Sequence, residues 1–385
     1  MGKNIVVFSD GTGQDGGLKA TTNVYRIFNM VEDRTPHQIA FYDRGLGTGV
    51  VRYTGMVGGF GFARNVHDCY RFIFEQFQSG DRLFLIGFSR GAATVRSLSY
   101  FLHLFGILPH SRPELISHAW QIYKTVGRER REEKAAEFIS RHNTMWTKIH
   151  FLGCFDTVAA LGLPSQLGSV LLDRIPGFRH RFHSFELSPA VSHAFHALAI
   201  DDERKTFHPV LLDAEVNTDQ TVRQVWFAGM HTDVGGGYLE QELSDIPLVW
   251  MTQKAVEHGL RIYPRHKVQI SENADGFMHD SRGTRLTRLY RRAVRSWPAG
   301  RPDLPVVHAS VLSRRRGVDN TADPPYAPWI LEGSYQVEPW KKYEDQTWRK
   351  PTDEAALLRL PEKPLLSGSP PLTPLSPPSA AGPQA

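Results

Sequence analysis

The fold that the sequence predicts is a mainly parallel α/β sheet with helices on both faces. Three observations lead to it. Short runs that are apolar on both faces alternate with longer stretches of helical periodicity. One such run leads directly into a glycine-flanked serine and then an Ala-rich helical segment. The chain has 385 residues, 41% hydrophobic and 22% charged, which suits a globular protein built around one large domain.

Residues 5–8, 39–42, 83–86, 149–154 and 225–228 read as buried strands. Helices are expected between them. Residues 24–31 place Val24, Ile27, Phe28 and Val31 on one face. Residues 66–77 do the same with Tyr70, Ile73, Phe74 and Phe77, and 92–105 and 244–258 follow suit. Residues 159–194 break the alternation. Rich in Leu, Phe, His, Gly and Pro, they read as a lid-like insertion or a long irregular connection. Residues 361–385 hold eight of the 25 prolines and read as a disordered tail. One domain over residues 1–345 is therefore expected.

Composition excludes several classes. No run of 18 or more apolar residues is present, and the N-terminal apolar run is too short for a signal-peptide core. A protein soluble as synthesised, and cytoplasmic by default, is expected; secretion without a cleaved signal stays open. Cys69 and Cys154 cannot build a disulfide framework or a zinc knuckle. The net charge of +5 is concentrated in residues 281–316, where ten arginines face one acid, Asp303. Arg285, Arg288, Arg292 and Arg295 fall three, four and three apart, which on a helix forms one row. Leu286, Leu289, Ala293 and Trp297 would be its packing stripe. Such a row would hold the protein against an anionic membrane, or be an ordinary solvated face. Aromatic interleaving and nucleic-acid motifs are lacking, which argues against nucleic acid.

The chemistry centres on Gly87-Phe88-Ser89-Arg90-Gly91, a G-x-S-x-G pattern between strand and helix. That context holds a serine on a sharp turn, hydroxyl clear of the sheet, with the helix N-terminus facing an incoming oxyanion. A serine nucleophile needs a base, and the base an orienting acid. Asp156 follows one expected strand, and His231 is the first ionisable group after another. The chain order Ser89, Asp156, His231 is that of α/β-hydrolase sheets. The plainer readings are a helix N-cap for Asp156 and a backbone-bonded loop histidine for His231. His196, His208 and His308 compete as bases, but none leaves so clear a strand. The Arg90 amide, with one from Gly11 or Thr12, would make the oxyanion hole; Asp10-Gly11 reads equally as a simple turn. The start resembles haloacid-dehalogenase phosphatases, but Phe8 stands where their nucleophilic Asp would be. Two alternatives to serine hydrolysis remain. Asp10, Asp156, His231 and Asp233 could ligate a divalent metal in a phosphohydrolase, or the scaffold could serve as a non-catalytic binding module. The serine route calls for no cofactor and no metal, and leaves Asp10 and Asp233 as an additional site without a role.

Six blocks carry a resemblance to a known family. They are Val6-Val7-Phe8-Ser9-Asp10-Gly11-Thr12, Tyr42-Asp43-Arg44-Gly45-Leu46-Gly47-Thr48 and Gly87-Phe88-Ser89-Arg90-Gly91-Ala92, then Phe151-Leu152-Gly153-Cys154-Phe155-Asp156-Thr157-Val158. His196-Ala197-Leu198-Ala199-Ile200-Asp201-Asp202-Glu203-Arg204 and Trp226–Tyr238 complete the set. Together they resemble the α/β-hydrolase domain of one family of type VI secretion phospholipase effectors, over about residues 3–260. The resemblance implies an α/β-hydrolase-like fold and a Ser-Asp-His triad on Ser89, Asp156 and His231. It also implies hydrolysis of carboxylic esters, with lipid or phospholipid as the substrate class.

Overall fold

The computed structural model describes residues 2–11, 21–45, 58–158, 187–213, 217–264, 266–285, 287–314 and 325–348. Thr12, most of the expected lid (159–186) and the proline-rich tail lie outside them.

Eight strands form one sheet: β1 (Asn4–Ser9), β2 (Gln38–Asp43), β3 (Arg82–Phe88), β4 (Ile149–Phe155), β5 (Val191–Ala199), β6 (Thr221–Phe227), β7 (Val306–His308) and β8 (Gln336–Glu338). Their order is β2-β1-β3-β4-β5-β6-β7-β8, and every pair is parallel. The eight described helices are α1 (Asn23–Met30), α2 (Gly58–Gln76), α3 (Arg90–Phe105), α4 (Leu115–Tyr123), α5 (Arg128–Arg141), α6 (His231–Gly235), α7 (Glu242–Glu257) and α8 (Ala309–Ser313).

The five expected strands are present, and the structure adds three. Strand alternation explains why both faces had to be apolar. Val6 and Phe8 of β1 join the core formed with Val24 and Ile27 of α1 and Leu248 and Met251 of α7. Ile5 and Val7 join the opposite core, with Ile73 of α2 and Val95 and Leu98 of α3. The last four residues of the expected lid are in fact the start of β5, which pairs with β4 from Val191↔Ile149 to Ala197↔Phe155.

Residues 285–297 do not form the expected helix. Their backbone pairs elsewhere: Lys205 donates to the Arg291 carbonyl (3.0 Å) and Ala293 to the Glu203 carbonyl (2.8 Å). Among the described residues there, only the single 3-10 turn Thr287–Leu289 is helical. The supposed packing residue Leu289 is 53% exposed.

Register aligns the carboxyl ends of the central strands. Ser9 pairs with Gly87, Phe88 with Phe155, Phe155 with Ala197, and Ala199 with Phe227. The residues that follow these ends therefore meet along one edge, and the sheet order reverses beside β1 and β3, where open α/β sheets place their sites.

The turn from β3 to α3 depends on two glycines. A Cβ on Gly87 would stand 2.5 Å from the Gly91 carbonyl oxygen, and one on Gly91 only 2.0 Å from the Ser9 carbonyl oxygen. Helix α3 thus rests directly on β1. Gly91→Ala should force these elements apart and cost about 3 kcal/mol, at the upper end for overpacking. Thermal denaturation checks this; an unchanged Tm would show that the contact is not tight.

Candidate active site

Ser89 occupies the tip of that turn with φ +57° and ψ −120°. Such a conformation is costly for a residue with a side chain and persists only where its surroundings impose it. Here the strand ladder imposes it, because the Ser89 amide donates to the Phe155 carbonyl at 3.0 Å. Asp156, just past β4, is also held at positive φ (38°). Its amide donates to the Ala197 carbonyl at 2.7 Å.

His231 opens the short helix α6 and bridges the other two. Its Nε2 lies 2.8 Å from Ser89 Oγ, and its Nδ1 lies 2.5 Å from Asp156 Oδ2. The ring is pinned by Phe88 at 4.7 Å and, edge-on, by Phe207 at 5.3 Å. Its backbone is fixed as well. Asp233 accepts the Met230 amide at 3.0 Å, closing the N-terminus of α6, and Asp202 accepts the His231 amide at 3.3 Å. Asn23, at the start of α1, donates to the Val234 and Ser244 carbonyls at 2.9 and 2.8 Å, tying α6 to α7.

Asp156 is entirely buried, and each of its oxygens accepts two hydrogen bonds. Oδ1 takes Arg295 Nη1 at 2.7 Å and the Ala199 amide at 3.0 Å; Oδ2 takes Arg295 Nη2 at 2.9 Å and His231. Burial alone would push this carboxyl upward. The Arg295 charge, reinforced by the bond with His231, outweighs it and holds Asp156 well below the usual carboxylate range.

Arg295 is therefore not part of a solvent-facing row. It is 1% exposed, and Nη1 and Nη2 also donate to the Ala199 and Phe207 carbonyls, both at 2.6 Å. The three-and-four spacing misassigned it because residues 291–293 run antiparallel to 203–205, with Arg204 bridging Arg292, which turns Arg295 inward. Arg292 stays outside, paired with Glu203 at 2.7 Å. Arg285 and Arg288 are exposed.

The remaining expected residues separate cleanly. Asp10 is buried at the end of β1 and accepts from Thr22 Oγ1 (2.5 Å), the Tyr42 hydroxyl (2.6 Å) and the Gly11 amide (2.7 Å). Burial raises it to about 6 against those bonds. Thr22 also caps α1 by accepting from the Tyr25 amide at 3.1 Å, so Asp10 joins the ends of β1, β2 and α1. Gly11 lies beside Ser89, but its amide is the one given to Asp10. Arg90, as the first residue of α3, has no intrahelical acceptor for its amide. Asp233 Oδ1 lies 2.6 Å from His279 Nδ1. Asp10 and Asp233 thus face partners away from the Asp156–His231 pair, and among the described residues no group of three or more His, Cys, Asp or Glu is arranged to hold a metal ion. The rival histidines are also committed elsewhere. His196 Nε2 accepts the Thr157 amide, His208 bonds the Ala293 carbonyl, and His308 bonds Ser310.

Three residues escaped the sequence reading. Helical spacing assigns Arg295 to an exposed row, whereas it is buried against Asp156. Asp202 holds the His231 amide and is itself gripped by Arg204 at 2.6–3.0 Å. Asp201 accepts the Gly229 amide at 2.6 Å and the Tyr326 hydroxyl at 2.7 Å. The available signal was the Asp201-Asp202-Glu203-Arg204 run after a strand, which carried no catalytic pattern of its own.

Sheet order, the glycine-bounded serine turn and the aligned strand ends define an α/β-hydrolase-like protein. More narrowly, the chain belongs to the type VI secretion Tle1-like phospholipase effector family, whose catalytic-domain model matches residues 3–254. That is a family of ester-hydrolysing enzymes. An uncharacterized protein of Saccharomyces cerevisiae is 29% identical over 233 residues, covering 54% of this chain and 32% of its own length. Among solved structures, an uncharacterized protein from Pseudomonas aeruginosa is 18% identical with TM-score 0.44, covering 71% of this chain and 49% of that one. A Tle1 effector solved bound to the VgrG spike of the type 6 secretion system is also 18% identical, with TM-score 0.33, covering 62% and 52%. The chain thus spans about a third of the yeast relative and about half of each solved chain. No described helix is long and apolar enough to cross a membrane.

Proposed function

We propose that the protein hydrolyses carboxylic esters of lipids, phospholipids foremost, through an acyl-enzyme on Ser89, within one catalytic domain spanning residues 1–345. The observation that carries this reading is His231 bonded at once to the Ser89 hydroxyl and to the Asp156 carboxylate. Ser89 Oγ attacks the ester carbonyl while His231 Nε2 takes its proton. The oxyanion lies against the Arg90 amide and the N-terminus of α3. The second donor would be Gly11, beside Ser89, or Thr12, which lies outside the described residues. Collapse breaks the ester C–O bond, and His231 returns the proton to the departing alcohol. Water, deprotonated by the same histidine, then attacks the acyl carbon; the acyl C–Oγ bond breaks, His231 returns the proton to Ser89 Oγ and the acid leaves. Asp156 keeps the Nδ1 proton in place and stabilises the imidazolium. The phospholipid preference rests on the family; the ester chemistry rests on the geometry.

Ser89→Ala and His231→Ala should each lower kcat on a soluble p-nitrophenyl ester about 10⁴-fold, as for other triads, and EDTA should leave the wild type unchanged. Activity abolished by EDTA, with Ser89→Ala nearly silent, would replace this reading with the metal-dependent one. Wild type without ester turnover would favour a binding scaffold.

For the membrane, Arg285 and Arg288 remain exposed in a segment that also exposes Leu289 and Val294. Exposed guanidinium groups and apolar side chains in one segment suit an anionic lipid surface. Arg285→Gln with Arg288→Gln should weaken binding to anionic vesicles by about 2 kcal/mol, roughly 30-fold at low salt. Hydrolysis of the soluble ester should not change. Equal vesicle binding by wild type and variant, measured by co-sedimentation, would make the face merely solvated.

A further inference from the structure

We infer that Arg295 is the positioning residue of the hydrolytic site, acting through Asp156 to keep that side chain ionised and in one orientation. This deepens the proposed function and rests on it. The geometry is specific. A planar guanidinium meets both carboxylate oxygens, Nη1 to Oδ1 at 2.7 Å and Nη2 to Oδ2 at 2.9 Å. Such a fork fixes the carboxylate plane as well as its charge. With the Ala199 amide taking the second position on Oδ1, the free direction of Oδ2 is aimed at His231 Nδ1. Arg295 is itself immobilised by the Ala199 and Phe207 carbonyls.

The charge balance explains why an arginine is needed. Asp156 has no exposed surface, and a buried carboxylate without a cation takes up a proton. The groups facing this pair supply no substitute. His196 on β5 is pushed down to about 3 by burial, so it is neutral. Arg204 is already engaged by Asp202 at 2.6 Å. Asp201 and Asp202 both act on Arg295 and are acids themselves. Without Arg295, only His231 and one amide would face the Asp156 carboxyl. A protonated Asp156 could not stabilise the imidazolium, and the base would lose its orientation.

The test measures kcat and KM on a soluble p-nitrophenyl ester from pH 5 to 9, for wild type, Arg295→Met, Arg295→Lys, Asp156→Asn and the Asp156→Asn/Arg295→Met double variant. The loss in Arg295→Met should fall on kcat, about 100-fold at pH 6 and narrowing to about tenfold at pH 9 as the carboxyl ionises. Arg295→Lys should keep the wild-type acidic limb with a lower kcat, because it supplies charge without the fork. The double variant should be no slower than Asp156→Asn alone. A loss equal at every pH, or losses that multiply in the double variant, would overturn the proposal.

Melting temperatures read the pair independently of activity. At pH 7 the double variant should melt above Arg295→Met, because it leaves no uncompensated carboxyl. A double variant melting at or below Arg295→Met would overturn the charge pairing. Wild type lacking Ser89-dependent turnover would instead sink the proposed function, and the melting comparison would still decide whether Arg295 and Asp156 act as a pair.

Discussion

A carboxylate with no exposure to water, at the end of β4, is the constraint on which the site depends. Asp156 can stay charged there only if every lone pair is met, and the fold meets them from distant parts of the chain. β5 contributes the Ala199 amide, α6 contributes His231, and the segment after residue 290 contributes Arg295. To deliver Arg295, that segment lies antiparallel to residues 203–205, which places Asp202 under the His231 backbone and Phe207 against its ring. The cluster of arginines that sets the charge of the sequence is thus partly an internal strap. A buried ion pair of this kind is a weak source of net stability; its value here is orientation.

The second constraint is steric. Ser89 projects from the sheet because the turn beneath it is compressed between β1 and α3, with Gly91 against the Ser9 carbonyl. The same compression brings Gly11 beside Ser89 and sets the N-terminus of α3 at the sheet edge. Asp10 holds the neighbouring strand ends together through Thr22 and Tyr42. Asp10, at the end of β1, and Asp233, within α6, therefore both hold backbone and side-chain partners in place.

How much of this was legible in the sequence follows from the range of each interaction. The serine turn was readable because strand, glycines and helix are contiguous, so local sterics define it. Asp156 and His231 were readable because buried strands preceding them fix where the chain emerges. β5 was less visible, since His193 and His196 interrupt its apolar run. β7 and β8 have three residues each and are too short for a periodic signal. Arg295 was misread because spacing of three and four describes a helix face only if a helix forms. The backbone there spends its hydrogen bonds on residues some ninety positions earlier, and no local pattern encodes that pairing.

The central claim is that Ser89 is a nucleophile activated by His231. Its most direct test is reaction with a fluorophosphonate probe, followed by peptide mapping of the modified residue. The account predicts stoichiometric labelling of Ser89 alone, abolished in Ser89→Ala and slowed by orders of magnitude in His231→Ala. No labelling of the folded wild type, labelling at another residue, or a rate unaffected by His231→Ala would contradict it.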